Sequence, residues 1–359
     1  MSANGSNGIL DHEELVVRRG DRSGAYIAIG IHSTALGPAL GGARLWRYPG
    51  LGDAIADALR LSEAMTFKAA AAGLDLGGGK AVILEPEGGL AGEDRVELMR
   101  DLGDVVESLA GRYVTAEDVG TGAEDMAAIA ERTSHVVGLP EDRGGSGDPS
   151  PVTARGVEAA IRASCERRFG DRDPSGRRVC VIGLGHVGAK LAERLARAGA
   201  ELVVSDIDPG KRELAERLGA RWVGPTEAIA SECEVLAPCA LGGAIDERAV
   251  GELRCEVVCG AANNVLAGDE IAPRLHERGI LYAPDFIANA GGLINVYGEL
   301  HGLDAGALES LIDGIGDALA TIFERAEAGS VTPLEAARAV ARERLGGAQP
   351  QPEPATLAA

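Results

Sequence analysis

A glycine-rich turn between an apolar strand and a helix constrains the fold of this chain more than any other feature. The strand-like run 179–182 leads into GLGHVG over 183–188, and helical spacing follows over 187–198. Three glycines at this spacing permit a tight turn and let backbone N–H groups approach a pyrophosphate at the helix N-terminus. The pattern predicts a dinucleotide-binding α/β domain, with the turn residues as ligand contacts. These candidate contacts are Gly183, Leu184, Gly185, His186, Val187 and Gly188.

An aspartate after the next predicted strand indicates which dinucleotide is bound. The strand Val203 to Ser205 is followed by Asp206, 18 residues beyond the last glycine of the turn. A carboxylate there accepts hydrogen bonds from a ribose 2′-OH and repels a 2′-phosphate, which favours NAD over NADP. Lys211 and Arg212 are close enough in sequence to leave some NADP use open. The structural alternative is a glycine-rich turn followed by an exposed aspartate.

The first 145 residues alternate strands and helices of their own. Residues 24–36 and 81–85 are apolar and predict strands, whereas 53–63 and 93–109 carry apolar residues at helical spacing. The segment Thr121 to Glu124 predicts a capping box at the start of a further helix. This alternation predicts a second layered α/β domain.

Length and linker composition divide the chain into parts. Its 359 residues suit two domains, and the segment 140–151 is rich in Pro, Gly and charged residues, as is typical of a hinge. We therefore expect one domain over 1–145 and the dinucleotide-binding domain over 146–330. Residues 331–359 predict a C-terminal helix followed by a disordered tail from Gly346 onwards, where Gly, Ala, Gln and Pro dominate.

Composition excludes several classes of partner. The formal net charge is −20, so phosphate backbones and anionic lipid surfaces are repelled. The six cysteines form no C-x-x-C pair and the six histidines are scattered, so we expect reduced thiols and no metal site. Residues 1–14 lack the basic start and apolar run of a signal peptide. These features predict a cytoplasmic protein that binds neither nucleic acid nor membranes.

The rarity of lysine marks two positions. The chain has four lysines against 31 arginines, and Lys68 and Lys80 lie in a segment made largely of Ala, Gly and Leu. Arginine serves equally well as a surface charge, but it keeps its proton near neutral pH. A phosphate-binding P-loop is excluded, because Leu74 and Ala81 stand where that motif needs Gly and Ser or Thr. The two lysines, on a stretch expected to be flexible, are therefore candidates for proton chemistry; the alternative is a pair of snorkelling surface charges.

Several long motifs together resemble the leucine/valine/phenylalanine branch of the amino-acid dehydrogenase superfamily that also contains glutamate dehydrogenase. The resemblance extends from about Leu36 to about Leu303. It implies an α/β fold of two domains: an N-terminal substrate-binding and oligomerisation domain and a C-terminal Rossmann NAD-binding domain, with a cleft between them. It also implies a homo-oligomer. The motifs are GPALGGARLW (37–46), MTFKAAAAGLDLGGGKAVI (65–83), YVTAEDVGT (113–121), GDPSPVTARGV (147–157), APCALGGAI (237–245), VVCGAANNVL (257–266) and YAPDFIANAGGLIN (282–295).

The same resemblance implies a role for individual residues. Lys68 resembles the lysine that pairs with the substrate carboxylate, which the backbone of Gly41 and Gly42 also lines. Lys80 matches the catalytic lysine and Asp118 the catalytic aspartate. The implied cofactor contacts are Thr153, Asn263 and Asn264 at the nicotinamide end and Cys239 and Ala240 beside the adenosine ribose.

Elementary chemistry agrees with these roles. Oxidative deamination removes a hydride from Cα and leaves an iminium that water must attack, while the nicotinamide carries out the redox step. An amine desolvated in an apolar cleft has a lowered pKa and can deprotonate that water. A neighbouring carboxylate can pass the proton to the departing ammonia. A helix-capping role for Asp118 competes with this assignment, but Thr121 is expected to fill that role.

The residues expected around the substrate side chain are apolar. Glutamate-specific members of the superfamily carry a lysine where this chain has Leu40, so an isolated γ-carboxylate would be desolvated without a partner. By resemblance, Ala116, Leu293 and Val296 complete the pocket. We expect an aliphatic L-amino acid, leucine above valine and isoleucine, to give the 2-oxo acid and ammonia. The alternatives are a phenylalanine dehydrogenase and a non-catalytic dinucleotide-binding regulator; a 2-hydroxy acid dehydrogenase is disfavoured because no histidine lies in a suitable motif.

Overall fold

The computed structural model describes residues 11–86, 88–89, 92–240 and 242–347, which form two compact units. The first unit holds the described residues up to Gly147 together with 299–302 and 341–347. The second holds 148–298 and 303–340. The predicted α/β fold of two domains is confirmed, whereas the predicted domain limits stay predictions.

A mixed five-stranded sheet forms the centre of the first unit. Its strand order is β1-β2-β4-β3-β5; β1–β2 and β2–β4 are antiparallel, and β3 is parallel to both β4 and β5. The strands are β1 (Glu14–Arg19), β2 (Tyr26–Ser33), β3 (Ala39–Trp46), β4 (Gly77–Leu84) and β5 (Tyr113–Glu117). The helices are α1 (Leu51–Ala71), α2 (Glu93–Glu107) and α3 (Ala123–Ala130), with a 3₁₀ turn at Glu141–Arg143.

Alternation along β2 explains how helices cover both faces of this sheet. Ile27, Ile29 and Ile31 are fully buried in one cluster with apolar residues of α2. The other face presents small residues such as Ala28, which packs with Ala54 and Ala58 of α1. Side chains alternate between the two faces of a strand, so large residues meet the amphipathic α2 and small ones let α1 approach closely.

A parallel six-stranded sheet forms the centre of the second unit. Its order, β11-β10-β9-β6-β7-β8, is that of a doubly wound dinucleotide-binding domain. The strands are β6 (Arg178–Ile182), β7 (Glu201–Ser205), β8 (Arg221–Trp222), β9 (Val235–Pro238), β10 (Val257–Val258) and β11 (Leu281–Tyr282). The helices are α4 (Ser150–Phe169), α5 (His186–Arg197), α6 (Arg212–Arg217), α7 (Pro225–Ala228), α8 (Glu247–Glu252), α9 (Ile271–Glu277), α10 (Asp285–Ala288), α11 (Gly291–His301), α12 (Ala305–Gly329) and α13 (Pro333–Gly347), with a 3₁₀ turn at Pro209–Lys211. The last residues of α11 and of α13 belong to the first unit.

Several local predictions need correction. The capping box at Thr121 is wrong: α3 is preceded by Gly122, whose N–H donates to the Asp125 carboxylate at 2.9 Å. The expected disorder from Gly346 is wrong for Gly346 and Gly347, which continue α13; the rest of the tail lies outside the described residues. The six cysteines are free, and all but Cys239 are buried.

Within 11–86, 88–89, 92–240 and 242–347, no three His, Cys, Asp or Glu side chains are grouped so that they could hold a metal ion. In the same part of the chain, no helix has the length and apolar character needed to cross a bilayer.

Candidate active site and cofactor-binding turn

Lys80 lies in the middle of the first unit's sheet, on β4 between β2 and β3. It is 4% exposed, and its Nζ lies 3.1 Å from Oδ1 of Asp118. Burial lowers the pKa of the Lys80 ammonium, and Asp118 opposes part of that shift. The expectation of a flexible stretch is therefore wrong, since Lys80 is on a central strand. The geometry provides a buried amine beside a carboxylate, which is an arrangement suited to proton transfer.

Asp118 follows β5 and contacts two cations at once. Its Oδ1 faces Lys80, and its Oδ2 accepts a hydrogen bond of 2.8 Å from Nε of Arg44. Burial raises the pKa of the Asp118 carboxyl, but the charges of Lys80 and Arg44 outweigh burial and hold that pKa below its usual range. Thr121 does not cap a helix: its Oγ1 accepts from the Asp118 N–H at 3.0 Å and donates to Ala43 O at 2.8 Å. Thr121 thus fixes the backbone that carries the carboxylate.

Arg44, together with Asp57, Tyr48 and Arg60 behind it, was not predicted from the sequence. Arg44 is on β3, and its Nη1 lies 3.0 Å from Oδ2 of Asp57 in α1. The same oxygen accepts a hydrogen bond of 2.6 Å from Tyr48, and Arg60 holds the other oxygen at 2.6 Å. A charged residue within the otherwise apolar GGARLW strand was the one available signal.

The paired glycines Gly41 and Gly42 allow close contacts around Lys80. A Cβ at Gly41 would overlap the carbonyl oxygen of Gly79, and a Cβ at Gly42 would overlap that of Glu117. Tyr113 joins the backbones of β3 and β4 at this point: its buried hydroxyl donates to Gly41 O at 2.5 Å and accepts from the Ala81 N–H at 3.0 Å. Neither Tyr113 hydrogen bond was predicted.

Lys68 lies in the last turn of α1 and is half-buried. That helix end is held by Arg344 of α13, which donates to Leu74 O at 2.7 Å and pairs with Asp75 at 2.6 Å. A cation at a helix C-terminus satisfies carbonyls that have no partner within the helix. Like Lys80, Lys68 is therefore on a regular element whose position is fixed by neighbouring contacts.

The four residues expected around the substrate side chain divide between the units. Leu40 on β3 and Ala116 on β5 belong to the first, where both are buried. Leu293 and Val296 belong to the second, three residues apart on α11. Leu293 is buried and Val296 is partly exposed.

The glycine-rich turn in the second unit has the geometry expected of a cofactor cradle. Gly183 has a φ of +99°, and a Cβ there would crowd Ala240, at 2.8 Å. A Cβ at Gly188 would overlap the carbonyl oxygen of Gly183 and lie 3.0 Å from Cβ of Cys239, so the helix packs directly on the turn. A Cβ at Gly185 would meet nothing within 4 Å, which leaves that side of the turn open to a ligand. These residues fit a bound pyrophosphate at the start of α5.

The other residues of the turn divide between core and surface. The side chain of Leu184 is fully buried in the core. Its backbone N–H donates to the carboxylate of Asp206. His186 is exposed and Val187 is half-buried at the first turn of α5. Cys239 and Ala240 follow β9, with the Cys239 N–H donating to Ile182 O at 2.7 Å. Burial raises the pKa of the Cys239 thiol to about 12, so the group stays protonated.

Asp206 ties the turn to the end of β7. Its Oδ2 accepts from the Leu184 N–H at 2.6 Å, and its Oδ1 accepts from the Asp208 N–H at 2.8 Å. A carboxylate has about four acceptor sites, so two remain for ribose hydroxyls. The neighbouring Ile207 is 89% exposed. Arg212, which left NADP use open, lies over the Trp222 ring at 5.3 Å.

A second polar network supports the residues expected at the nicotinamide end. Asn264 has a φ of +51°, and Nδ2 of Asn289 donates to Oδ1 of the adjacent Asn263 at 2.8 Å. Asp285 accepts from the Val265 N–H at 2.8 Å. Asn289 and Asp285 were not predicted from the sequence, because each forms hydrogen bonds with a loop that α9 and β11 separate from it along the chain. Thr153, in the first turn of α4, is buried and donates to Pro149 O at 2.9 Å.

Comparison with known proteins places both units in one family. Residues 17–135 match the dimerisation domain of Glu/Leu/Phe/Val dehydrogenases, and 211–350 match the glutamate/leucine/phenylalanine/valine dehydrogenase family. Residues 154–246 also match the NAD-binding domain of D-isomer specific 2-hydroxyacid dehydrogenases. That third match lies within the second unit, and the match over 17–135 sets the chain apart from the hydroxyacid enzymes.

Relatives extend this similarity over nearly the whole chain. Leucine dehydrogenase of Thermoactinomyces intermedius is 44% identical over 93% of this chain and 91% of its own. Valine dehydrogenase of Streptomyces virginiae is 43% identical over 94% and 95%. The crystal structure of L-tryptophan dehydrogenase from Nostoc punctiforme has a TM-score of 0.84 at 38% identity, covering 95% of this chain and 97% of that one. The predicted class of enzyme and its NAD cofactor are confirmed, and the chain belongs to the Glu/Leu/Phe/Val dehydrogenase family.

Proposed function

We propose that this enzyme catalyses the reversible, NAD-dependent oxidative deamination of aliphatic L-amino acids, with leucine preferred over valine and isoleucine. The products are the 2-oxo acid and ammonia. The observation that carries the proposal is the buried Lys80–Asp118 pair, 3.1 Å apart, in which burial lowers the pKa of the amine. Such an amine can be neutral and act as a base at a pH where an exposed lysine would be charged.

In the proposed reaction, the substrate amino group reacts in its neutral form, after losing a proton to solvent. NAD, when bound, would supply the acceptor for the hydride on the substrate Cα. The resulting iminium is attacked by a water molecule, whose proton passes to the neutral Nζ of Lys80. The tetrahedral carbinolamine then collapses: the proton held by Lys80 passes through Asp118 to the nitrogen, and the C–N bond breaks as the C=O bond forms. The hydroxyl proton passes to the Lys80 amine, which is neutral again at that point. Ammonia and the 2-oxo acid leave. Lys80 and Asp118 thus hold and move protons.

Substrate recognition follows from charge and burial. Lys68, at the end of α1, pairs with the α-carboxylate, and the Gly41–Gly42 backbone lies along it. Leu40, which is 2% exposed, and Ala116 present apolar surface in the first unit. Leu293 and Val296 of α11 are further proposed contacts of the substrate side chain. Leu40 is apolar, so the γ-carboxylate of a glutamate substrate would lose its hydration beside it without gaining a cationic partner. This disfavours glutamate as a substrate.

Cofactor selection depends on Asp206. Its remaining acceptor sites take the ribose hydroxyls, and its charge repels a 2′-phosphate. Ile207 gives the adenine an exposed apolar surface. Thr153 and Asn264 hold the nicotinamide end, and Asn263, Cys239 and Ala240 complete the cofactor contacts. The enzyme acts as a cytoplasmic homo-oligomer.

A panel of substrates tests the proposal. NADH formation is measured with leucine, valine, isoleucine, phenylalanine, tryptophan and glutamate, each with NAD and with NADP. We expect kcat/KM to be highest for leucine with NAD and lowest for glutamate. The similarity to a tryptophan dehydrogenase makes the aromatic arms informative, because faster turnover of phenylalanine or tryptophan would assign an aromatic substrate instead. Reduction of NAD by none of the amino acids would overturn the proposal.

A further inference from the structure

Five charged side chains alternate in sign from the surface of the first unit to Lys80. Arg60 pairs with Asp57 at 2.6 Å, Asp57 with Arg44 at 3.0 Å, Arg44 with Asp118 at 2.8 Å, and Asp118 with Lys80 at 3.1 Å. The side chain of Arg60 is 57% exposed and that of Lys80 is 6% exposed, so the series runs inward from solvent. We call these five residues the charge ladder.

The two oxygens of Asp118 are divided between two cations of different chemistry. Lys80 can lose its proton once it is buried, whereas the guanidinium of Arg44 stays charged at any physiological pH. When Lys80 becomes neutral, Asp118 therefore keeps one cationic partner. If Arg44 were absent, Lys80 would be the one cation of the ladder in contact with the Asp118 carboxylate. That carboxylate would then stabilise the protonated form of Lys80.

We propose that Arg44 is a positioning residue for the Lys80–Asp118 pair: as the permanent counter-charge of Asp118 it frees Lys80 to act as a neutral base, and Asp57 moderates this effect by sharing the Arg44 charge. This inference rests on the proposed function only in giving Lys80 the role of a base. The effect of Arg44 on Lys80 is a property of the folded first unit and can be measured without turnover.

The groups around Lys80 leave few other sources of charge. Arg44 acts from β3, Asp118 from the end of β5 and Asp57 from α1, and the β2 residue paired with Lys80 is Gly30, which carries no charge. Tyr113 of β5 is fully buried, and its hydroxyl is held between Gly41 O and Ala81 N–H, as a neutral phenol. Tyr48 and Arg60 act through Asp57, with which both form hydrogen bonds.

The ladder predicts shifts of opposite sign for two neighbouring substitutions. Arg44→Met removes a positive charge and should raise the pKa of Lys80 by about one unit. Asp57→Asn removes a negative charge that competes for Arg44, and should lower the pKa of Lys80. Arg44→Lys keeps a cation but cannot make the two-sided contact of a guanidinium, so its shift should lie between wild type and Arg44→Met.

The scarcity of lysine allows a direct measurement. With ¹³Cε-labelled lysine the chain gives four side-chain signals, and Lys80→Arg identifies the signal of Lys80. Titration by NMR then yields the midpoint for Lys80 in wild type, Arg44→Met, Arg44→Lys and Asp57→Asn. The acid limb of the kcat profile for leucine oxidation, measured in the same variants, should move in the same direction as the midpoint.

The outcomes separate the two proposals. A higher midpoint in Arg44→Met and a lower one in Asp57→Asn support the ladder, even if leucine is not the substrate. Unchanged midpoints overturn it, even if the enzyme oxidises leucine and the variants lose kcat, because that loss would then be structural. Should Arg44→Met fail to fold by circular dichroism, the signs of Arg44→Lys and Asp57→Asn decide.

Discussion

The Tyr113 hydroxyl donates a 2.5 Å hydrogen bond to Gly41 O, so a side chain of β5 fixes the backbone of β3 where the substrate carboxylate is proposed to bind. The hydroxyl oxygen of Tyr113 in turn accepts from the N–H of Ala81, which is next to Lys80. One phenol thus fixes both the proposed carboxylate site and the strand that carries the proposed base.

Tyr113→Phe should therefore affect both stability and catalysis. Removing the hydroxyl leaves a buried N–H and a buried carbonyl with fewer partners, at a cost of about 1–3 kcal/mol in the free energy of unfolding. Denaturant unfolding measures this cost, and KM for leucine should rise as the Gly41 backbone loosens. The control is Tyr26→Phe, at a tyrosine that is 40% exposed, where we expect a change within about 0.5 kcal/mol. Equal effects of the two substitutions would contradict the assigned role.

The proposed base predicts that Lys80→Arg does not rescue Lys80→Ala. Both variants should lose kcat by about 10²–10⁴-fold, because a guanidinium keeps its proton and cannot accept one from water. Initial rates of NADH formation across pH measure the loss, and Lys190→Arg, at a lysine paired with Asp148 in the other unit, is the control. Turnover of Lys80→Arg near the wild-type rate would make Lys80 an electrostatic or structural residue.

Lys68 should behave differently, because its proposed role is to bind. In Lys68→Met, the substrate carboxylate would lose its hydration on binding without gaining a cationic partner. KM for leucine should therefore rise strongly, while kcat at saturation falls less. Lys68→Arg keeps the charge and should retain weak activity. The contrast is measured by saturation kinetics in leucine at fixed NAD. A variant with a lower kcat and an unchanged KM would instead assign Lys68 a role in the chemical step.

Asp206 has two roles that can be separated. Asp206→Asn keeps an amide oxygen for the Leu184 N–H but removes the negative charge, so kcat/KM with NADP should rise about tenfold relative to NAD. Asp206→Ala also removes the acceptor and should weaken both cofactors. Asp208→Asn, two residues further on, is the matched control. Equal kcat/KM of the wild-type enzyme with NAD and with NADP would show that the charge of Asp206 does not determine cofactor specificity.

Local patterns predicted some elements well and others poorly, for identifiable reasons. The turn at Gly183 and the amphipathic α2 were predicted, because glycine spacing and helical periodicity are local signals. The strand β3 was missed, since its ALGG start is poor in strand-forming residues and is stabilised by the close approach of β4. The Arg44–Asp118 pair joins positions 74 apart in sequence, a separation that no local pattern records.

Asp101 provides a test of pH-dependent stability away from the proposed chemistry. It is 3% exposed in α2, and accepts hydrogen bonds from the backbone and side chains of Arg22 and Ser23. Burial raises the pKa of its carboxyl, but these donors outweigh burial and lower it overall. A lowered folded-state pKa means that the stabilisation is present above the unfolded pKa and is lost as pH falls through the folded value.

Asp101→Asn should therefore lower the free energy of unfolding by about 2 kcal/mol at neutral pH, with a smaller difference from wild type in acid. Urea unfolding at several pH values between 3 and 7 measures this convergence. Asp104→Asn lies one helical turn away and also contacts Arg22, but its side chain is 39% exposed, so its effect should stay below about 1 kcal/mol. A constant difference between Asp101→Asn and wild type across that pH range would show that the contacts stabilise the fold by packing and not through the charge of the carboxylate.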